Sequence, residues 1–239
     1  TALLAELDNL SGEEYSSKYS EILLRLWRNK AINDTYEPGS TFKVFTVSSA
    51  LEAGVVEDSS TFTCGGSQIV KDRTIRCWKS GGHGTQVLGQ TLENSCNVAM
   101  MDISALLGTD MFRKFFEAYG LMEKTGIDLP GEATGIFFDD PMGEVDLATA
   151  SFGQNFQVTP IQELCMVAAA CNGGDLVTPH VAKEIVDTDG NVKQTISTEV
   201  KRPVISEETS DLIRTYLENV VSQGTGQNAY VAGYRVGGK

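Results

Sequence analysis

The sequence is compatible with an α+β fold class, in which helices combine with short antiparallel hairpins. Helices are indicated because apolar residues recur at helical spacing in several stretches that stop at a glycine. Strands are indicated because β-prone pieces flank turn residues in two other stretches. These patterns agree with an α+β arrangement but would not identify it on their own.

Composition limits the classes of protein that the chain can represent. With 239 residues and 41% hydrophobic content, it can form one large domain or two interlocked subdomains. No apolar run is long enough to span a membrane, since the best, residues 164–171, stops at Asn172. The net charge of −13 argues against nucleic acid as a partner. No signal peptide begins at Thr1, so we expect a piece of a longer gene product.

The first half of the chain is expected to combine helices with hairpins. Residues 4–28 mix leucine with acidic residues and predict one or two amphipathic helices without chemistry. Residues 41–53 are apolar on nearly every face and stop at Gly54, which predicts a buried helix. Residues 59–86 carry Gly, Ser and Thr around short β-prone pieces, so hairpins and loops are expected there.

The second half is expected to be mainly helical. Helices that end at or near a glycine are predicted at residues 91–108, 110–120, 160–174 and 206–224. Residues 124–146 are rich in Gly, Pro and Asp and predict a loop. Alternation around "DTDGN" predicts a hairpin across residues 181–200, and residues 229–239 predict a strand with internal glycines.

The stretch "YEPGSTFKVF" places Ser40 three residues before Lys43, directly after a Pro-Gly turn. Serine is a favoured N-cap, so Ser40 could simply accept a hydrogen bond from an unpaired N–H of the helix that follows. Alternatively, the two residues are a nucleophile and its base, because a serine hydroxyl needs an adjacent base to become reactive. The choice depends on whether other reactive residues occur further along the chain.

Two further elements favour the second interpretation. Ser95-Cys96-Asn97 lies just before a helical segment, and Gly237-Gly238-Lys239 ends the predicted last strand. In this order the elements resemble the Ser-x-x-Lys, Ser-x-Asn and Lys-Thr-Gly trio of penicillin-binding proteins and serine β-lactamases. Lys124-Thr125-Gly126 is a complete Lys-Thr-Gly, but no strand precedes it and we predict a loop there.

Longer phrases make this resemblance more specific. They are "NDTYEPGSTFK", "SCNVAM", "KTGIDLPGE", "SFGQNFQVTPIQ" and "GTGQNA" followed by "GYRVGGK". Together they resemble the transpeptidase domain of class B penicillin-binding proteins, which include division- and sporulation-linked enzymes of Gram-positive bacteria. The resemblance covers roughly residues 28–239, ends at the Lys of Lys-Thr-Gly, and leaves residues 1–27 unassigned. It implies an antiparallel sheet flanked by helices plus an all-helical subdomain, with the C-terminal strands missing.

The resemblance also implies a role for each residue of the site. Ser40 would be the nucleophile and Lys43 its base. Ser95 would relay a proton, Asn97 would bind the substrate's peptide backbone, and Lys239 would attract its terminal carboxylate. Burial and the second cation would lower the pKa of Lys43. No metal or cofactor is expected.

The implied reaction is acyl transfer on peptidoglycan stem peptides. Ser40 would attack the D-Ala-D-Ala bond, D-Ala would leave, and an amine of a neighbouring strand would capture the acyl group. β-Lactams would acylate the same serine. The expected location is the extracytoplasmic face of the bacterial membrane, with an N-terminal anchor outside this chain and other cell-wall synthesis proteins as candidate partners. Residues 1–239 alone are expected to be poorly active and unstable, because the Lys-Thr-Gly strand is incomplete.

Three alternatives share some of these features. A serine β-lactamase must also hydrolyse its acyl-enzyme, but "PGEATGIFFDD" lacks the Glu-x-x-x-Asn pattern of class A. Class D enzymes carry Ser-x-Val in place of Ser-x-Asn. A β-lactam sensor would keep the four site residues Ser40, Lys43, Ser95 and Asn97, but it would not catalyse transpeptidation. An inactive scaffold within a cell-wall complex would not need them.

The five cysteines and two histidines look too scattered for a metal site, since no Cys-x-x-Cys occurs. Cys64 and Cys77 flank a hairpin-like segment and could form a disulfide in an oxidising compartment. The remaining cysteines are expected to be small buried apolar residues: Cys96, Cys165 and Cys171. His83 is expected to be a loop residue rather than a catalyst.

Overall fold

A computed structural model of the chain describes residues 4–138 and 141–239 and confirms the α+β class. Its α-helices are α1 Gly12–Trp27, α2 Lys30–Asn33, α3 Lys43–Glu52, α4 Leu88–Glu93, α5 Asn97–Leu107, α6 Thr109–Ala118, α7 Glu144–Ala150, α8 Pro160–Cys171 and α9 Glu207–Ser222. Its strands are β1 Thr61–Cys64, β2 Ser67–Val70, β3 Arg73–Arg76, β4 Gly84–Val87, β5 Asp175–Thr178, β6 Glu184–Val186, β7 Val192–Thr195 and β8 Glu199–Pro203. Short 3-10 turns occur at Leu4–Leu7, Gly39–Phe42 and Gln227–Ala229.

Within these described ranges the strands form four separate two-stranded antiparallel sheets. Two of the sheets are hairpins, and each is enclosed by another pair of strands. The β2–β3 hairpin lies in the connection between β1 and β4, and the β6–β7 hairpin lies in the connection between β5 and β8. Because the enclosed hairpin reverses the direction of the chain, the chain comes back to the end of the first outer strand before the second outer strand begins. The ends of β1 and β3 therefore come close to the start of β4.

The helix predicted at residues 41–53 is confirmed as α3, and it is the buried centre of the molecule. All of its residues from Lys43 to Ala50 are buried. Phe42 and Phe45 stack at its start with ring centroids 4.6 Å apart. Aromatic rings from other parts of the chain surround this pair: Phe112, Phe116 and Phe156. Each buried ring contributes about 1.5–3 kcal/mol to folding, so the start of α3 is held rigidly.

The later helices begin where their capping residues predict. Thr159 caps α8, accepting a hydrogen bond from the Gln162 N–H at 3.3 Å, and Pro160 occupies the first helical position. Ser206 caps α9 by accepting from the Thr209 N–H at 3.2 Å. None of the helices in residues 4–138 and 141–239 combines the length and hydrophobicity needed to cross a bilayer.

The strand predicted at residues 229–239 is wrong. A 3-10 turn ends at Ala229, and the residues that follow form no regular element. The N–H of Gly238 donates to the carbonyl of Leu217 at 3.1 Å, so this segment lies along α9 instead of a neighbouring strand. A strand needs a partner that supplies its ladder of hydrogen bonds, and no strand of the described chain pairs with this segment. Its glycines also weaken strand formation.

Candidate active site

Ser40 lies in the 3-10 turn Gly39–Phe42, which leads directly into α3. The N-cap of α3 is Phe42, and neither this helix nor the turn has a side-chain cap, so the capping interpretation of Ser40 is wrong. Its side chain is exposed, with Oγ 3.1 Å from Lys43 Nζ. Backbone N–H groups in a first helical turn lack intrahelical partners. The N–H of Ser40 is therefore suited to binding an oxyanion beside the hydroxyl.

Lys43 is fully buried and joins three of the predicted site residues. Its Nζ lies 3.1 Å from Ser40 Oγ, 3.0 Å from Ser95 Oγ and 2.7 Å from Asn97 Oδ1. The carbonyl oxygen of Ser95 also accepts from Nζ, at 2.8 Å. Ser40, Lys43, Ser95 and Asn97 thus form one hydrogen-bonded group, although residues from two distant parts of the sequence contribute to it.

Two effects make the amine of Lys43 easy to deprotonate. Burial disfavours the charged form, and the positive charge of Lys239 repels it. Together they lower the pKa of Lys43 to about 7, although negative charge on the sulfur atoms of Cys77 and Cys96 acts in the opposite direction. Burial also lowers the pKa of Lys239 to about 8. A neutral Lys43 that can accept a proton is therefore available near neutral pH.

A sharp bend at Ser95 directs the Ser-x-Asn segment toward Lys43. Ser95 has a φ of +51°, in the left-handed region that side chains with a Cβ seldom adopt. Helix α5 begins immediately afterwards at Asn97, with Cys96 as its N-cap and Cys96 Sγ accepting from the Ala99 N–H at 3.4 Å. Because of the bend, both the hydroxyl and the carbonyl of Ser95 contact Lys43 Nζ.

The phrase "SFGQN" packs against the turn that carries Ser40. The N–H of Gly39 donates to the carbonyl of Gly153 at 2.9 Å, and the N–H of Asn155 donates to Glu37 at 2.9 Å. The two glycine backbones touch so closely that a Cβ on Gly153 would lie 2.1 Å from the Gly39 oxygen. This segment therefore fixes the position of the Ser40 turn. The sequence pointed to it only through the resemblance.

Lys239 lies near these four residues but outside their hydrogen-bonded group. It borders a cavity of about 480 Å³ between α3, α8, α9 and the last residues, together with Thr41 and Val44. Among the described residues, none of the hydrogen bonds of Lys43 involves Lys239, which acts on it through charge. The structure therefore brings four predicted site residues into contact and the fifth into their neighbourhood.

Lys124-Thr125-Gly126 is a loop, as predicted, and it is held by Glu132. One carboxylate oxygen accepts from the N–H and the hydroxyl of Thr125, both at 2.6 Å, and the other accepts from the Gly126 N–H at 3.1 Å. Glu132 is the glutamate of "PGEATGIFFDD", whose last two residues, 139 and 140, lie outside the described residues. Its carboxylate is thus occupied in shaping a loop.

The sequence analysis did not identify Glu163, which forms hydrogen bonds with residues on both sides of Ser40. This buried residue of α8 accepts hydrogen bonds from the hydroxyls of Tyr36 and Thr41, on either side of Ser40. Burial and the nearby Glu163 carboxylate both raise the pKa of Tyr36. The sequence feature that could have indicated Glu163 is the presence of a glutamate in the mainly apolar helix α8.

The structure also gathers residues that the sequence separates. The ligand atoms of Cys64, Cys77, His83 and Cys96 all lie within 4.8 Å of one another. The expectation that these residues are too scattered for a metal site is therefore wrong. All five cysteines of the chain are free thiols, so Cys64 and Cys77 meet without forming the disulfide considered above. Cys96 is fully buried, as predicted.

An exposed serine whose hydroxyl contacts a buried lysine of lowered pKa is the arrangement that serine acyl transferases require. The family model described as "Penicillin binding protein transpeptidase domain" matches residues 8–239. The chain therefore belongs to this family, and its relatives place it with the class B penicillin-binding proteins.

Individual relatives agree with this assignment. Stage V sporulation protein D of Bacillus subtilis is 48% identical over 216 residues, 89% of this chain and 33% of that protein. Peptidoglycan D,D-transpeptidase MrdA of Acinetobacter baumannii is 26% identical over 248 residues, 96% of this chain and 36% of that protein. The structure of penicillin-binding protein 3 from Mycobacterium tuberculosis complexed with aztreonam is similar with a TM-score of 0.75 and 28% identity, covering 86% of this chain and 48% of that one. The chain spans about a third of the length of the curated relatives it matches.

Proposed function

We propose that this chain carries the catalytic site of a peptidoglycan D,D-transpeptidase that works through an acyl-enzyme on Ser40. The observation that carries the proposal is the position of Lys43 Nζ, which is within hydrogen-bonding distance of Ser40, Ser95 and Asn97. Relatives named peptidoglycan D,D-transpeptidases support the same reaction.

The first half-reaction forms the acyl-enzyme. Neutral Lys43 accepts the proton of Ser40, and Oγ attacks the carbonyl carbon of the D-Ala-D-Ala bond. The Ser40 N–H and the positive end of α3 stabilise the oxyanion. As the C–N bond breaks, Ser95 passes a proton from Lys43 to the departing D-Ala amine. General base catalysis of this kind contributes about 10²–10⁴-fold.

The second half-reaction transfers the acyl group. An acceptor amine attacks the ester carbonyl and loses its proton through Ser95 to Lys43. Lys43 returns a proton to Ser40 Oγ as the ester C–O bond breaks, which restores the free serine. Asn97 binds the donor peptide backbone, and Lys239 attracts its carboxylate. The polymer lies outside the cytoplasmic membrane, so the site works on the extracytoplasmic face. Similarity to a stage V sporulation protein supports a role in spore formation.

β-Lactams mimic the scissile bond and acylate the same serine in this scheme. The aztreonam complex of a similar structure supports this step. Hydrolysis of the resulting ester would need a water-activating base, and Glu132 is occupied by Thr125 and Gly126. A long-lived penicilloyl ester is therefore the expected product.

The test supplies a stem peptide ending in D-Ala-D-Ala together with an acceptor amine to the full-length protein that carries this chain. We expect a cross-linked peptide and free D-Ala, and neither from Ser40→Ala with unchanged circular dichroism. A stable penicillin adduct without any cross-linked peptide would instead identify a β-lactam sensor. Rapid release of hydrolysed penicillin would identify a β-lactamase.

Acylation should depend on pH through Lys43. The pKa of about 7 means that the reactive neutral amine becomes the main form as pH rises through that value, so the acylation rate should rise over the same range. Lys239→Met removes the repelling cation and should move the midpoint of this rise to higher pH. Rate constants for labelling by a fluorescent penicillin across pH give both midpoints.

The control for this prediction is Lys183→Met, which removes an exposed lysine next to β6. Its midpoint should equal that of the wild type. Identical midpoints for Lys239→Met and the wild type would show that the charge of Lys239 does not act on the base.

A further inference from the structure

We propose that Cys64, Cys77, His83 and Cys96 bind a structural zinc ion directly behind the Ser95–Asn97 segment. Their ligand atoms lie within 4.8 Å of one another. Three thiolates and one imidazole form a donor set that zinc binds tetrahedrally in structural sites. Soft thiolate ligands also disfavour magnesium and calcium, which prefer oxygen.

Each ligand comes from the end of a different element. Cys64 is the last residue of β1, Cys77 follows β3, His83 precedes β4, and Cys96 is the N-cap of α5. The enclosed β2–β3 hairpin explains the convergence, because it returns the chain to the end of β1. The four side chains then meet at one point although they are widely spaced in the sequence.

Close backbone packing holds two of these loops together. A Cβ on Gly82 would lie 2.1 Å from the carbonyl oxygen of Cys64, so only glycine permits this approach. The contact places His83, the next residue, beside the cysteines. The rings of Trp78 and His83 pack in an edge-to-face arrangement, with centroids 5.4 Å apart.

The distances suit the proposed ion. Bonds of about 2.3 Å to sulfur and about 2.0–2.1 Å to nitrogen separate tetrahedral ligand atoms by roughly 3.6–3.8 Å. Cys77 Sγ and His83 Nδ1 are already 3.7 Å apart, and the widest pair needs a contraction of about 1 Å. The three cysteines are at most 6% exposed, which describes a closed, structural site.

N–H groups close to the cysteines could donate hydrogen bonds to thiolate sulfur atoms. The backbone N–H of Ala99 donates a hydrogen bond to Cys96 Sγ at 3.4 Å. The Nε2 of Gln86 is also buried and has no hydrogen-bond partner within the described part of the chain. Metal-bound sulfur accepts such N–H donors, and these outer contacts orient the ligands.

The zinc site would affect catalysis by holding the Ser95–Asn97 segment in position. Cys96 lies between Ser95 and Asn97, so a zinc ion would tie the Ser-x-Asn segment to both hairpin loops. Each thiol would release its proton to solvent as the metal binds. Thiols occupied by zinc would also be unable to pair as disulfides.

The test begins with the full-length wild-type protein that carries this chain, purified under reducing conditions without chelators. We expect one zinc ion per chain by elemental mass spectrometry. Replacement by Co²⁺ should give thiolate-to-cobalt charge-transfer bands and the strong visible bands of tetrahedral cobalt. Cys77→Ser and Cys96→Ser should lose the zinc and change the cobalt spectrum. Cys165→Ser, which removes a buried cysteine outside the cluster, should keep both.

Two outcomes would overturn the proposal. One is a wild-type chain with reduced thiols that holds no zinc and gives no thiolate–cobalt bands. The other is a Cys96→Ser variant with the full wild-type cobalt spectrum. The first measurement needs no variant, so the test is decisive even if a substituted chain fails to fold.

Discussion

Replacing Lys43 by arginine is expected to slow acylation of Ser40 by a factor on the order of 10²–10⁴. The guanidinium can still donate hydrogen bonds to Ser95 and Asn97, but it stays charged at every accessible pH and cannot accept the serine proton. The lost factor is therefore the contribution of the base. The measurement is the second-order rate constant for labelling by a fluorescent penicillin.

The pH profile separates a lost base from a distorted site. Lys43→Arg should lose the rise in rate that the wild type shows near pH 7. Lys201→Arg, a matched change at a lysine that contacts the Lys124 carbonyl, should retain both the rate and the rise. A Lys43→Arg rate within about tenfold of the wild type would exclude Lys43 as the base.

The Gly153→Ala substitution should lower the free energy of unfolding by about 2–5 kcal/mol. Gly153 has a φ of +85°, which an alanine adopts only with strain, and the new Cβ would lie 2.1 Å from the Gly39 oxygen. The clash between the new Cβ and the Gly39 oxygen can be relieved only if the Ser40 turn moves, so the acylation rate should fall as well. Urea denaturation gives the stability, and penicillin labelling of the folded variant gives the rate.

Gly190→Ala is the matched control for this substitution. Gly190 has the same φ of +85°, but no atom lies within 4 Å of its added Cβ. Gly190→Ala should lower the free energy of unfolding only by the backbone strain, about 1–2 kcal/mol, and should leave the acylation rate unchanged. Equal losses of stability in the two variants would show that contact with Gly39 is unimportant.

Local patterns were sufficient to predict individual elements of the fold and part of the site. The continuous apolar character of residues 41–53 predicted the buried helix α3, because burial on all faces is visible in one segment. The three-residue spacing of Ser40 and Lys43 likewise placed their side chains together on one helical turn. Ser95 and Asn97 needed the resemblance, since no local rule brings them to Lys43.

The features that the sequence did not reveal depend on long-range packing. The cluster of Cys64, Cys77, His83 and Cys96 forms only because one hairpin is enclosed by another pair of strands. The strand predicted at residues 229–239 failed for a related reason, because a strand exists only where a partner pairs with it. Glu163 contacts the Ser40 turn through a helix that begins far along the chain.

The most direct test of the acyl-enzyme account is to locate the covalent adduct. Full-length protein is treated with penicillin, digested, and analysed by peptide mass spectrometry. The account predicts one penicilloyl group, carried by the peptide that contains Ser40, and an unmodified Ser40→Ala protein. An adduct on any other residue, or equal modification of Ser40→Ala, would contradict it.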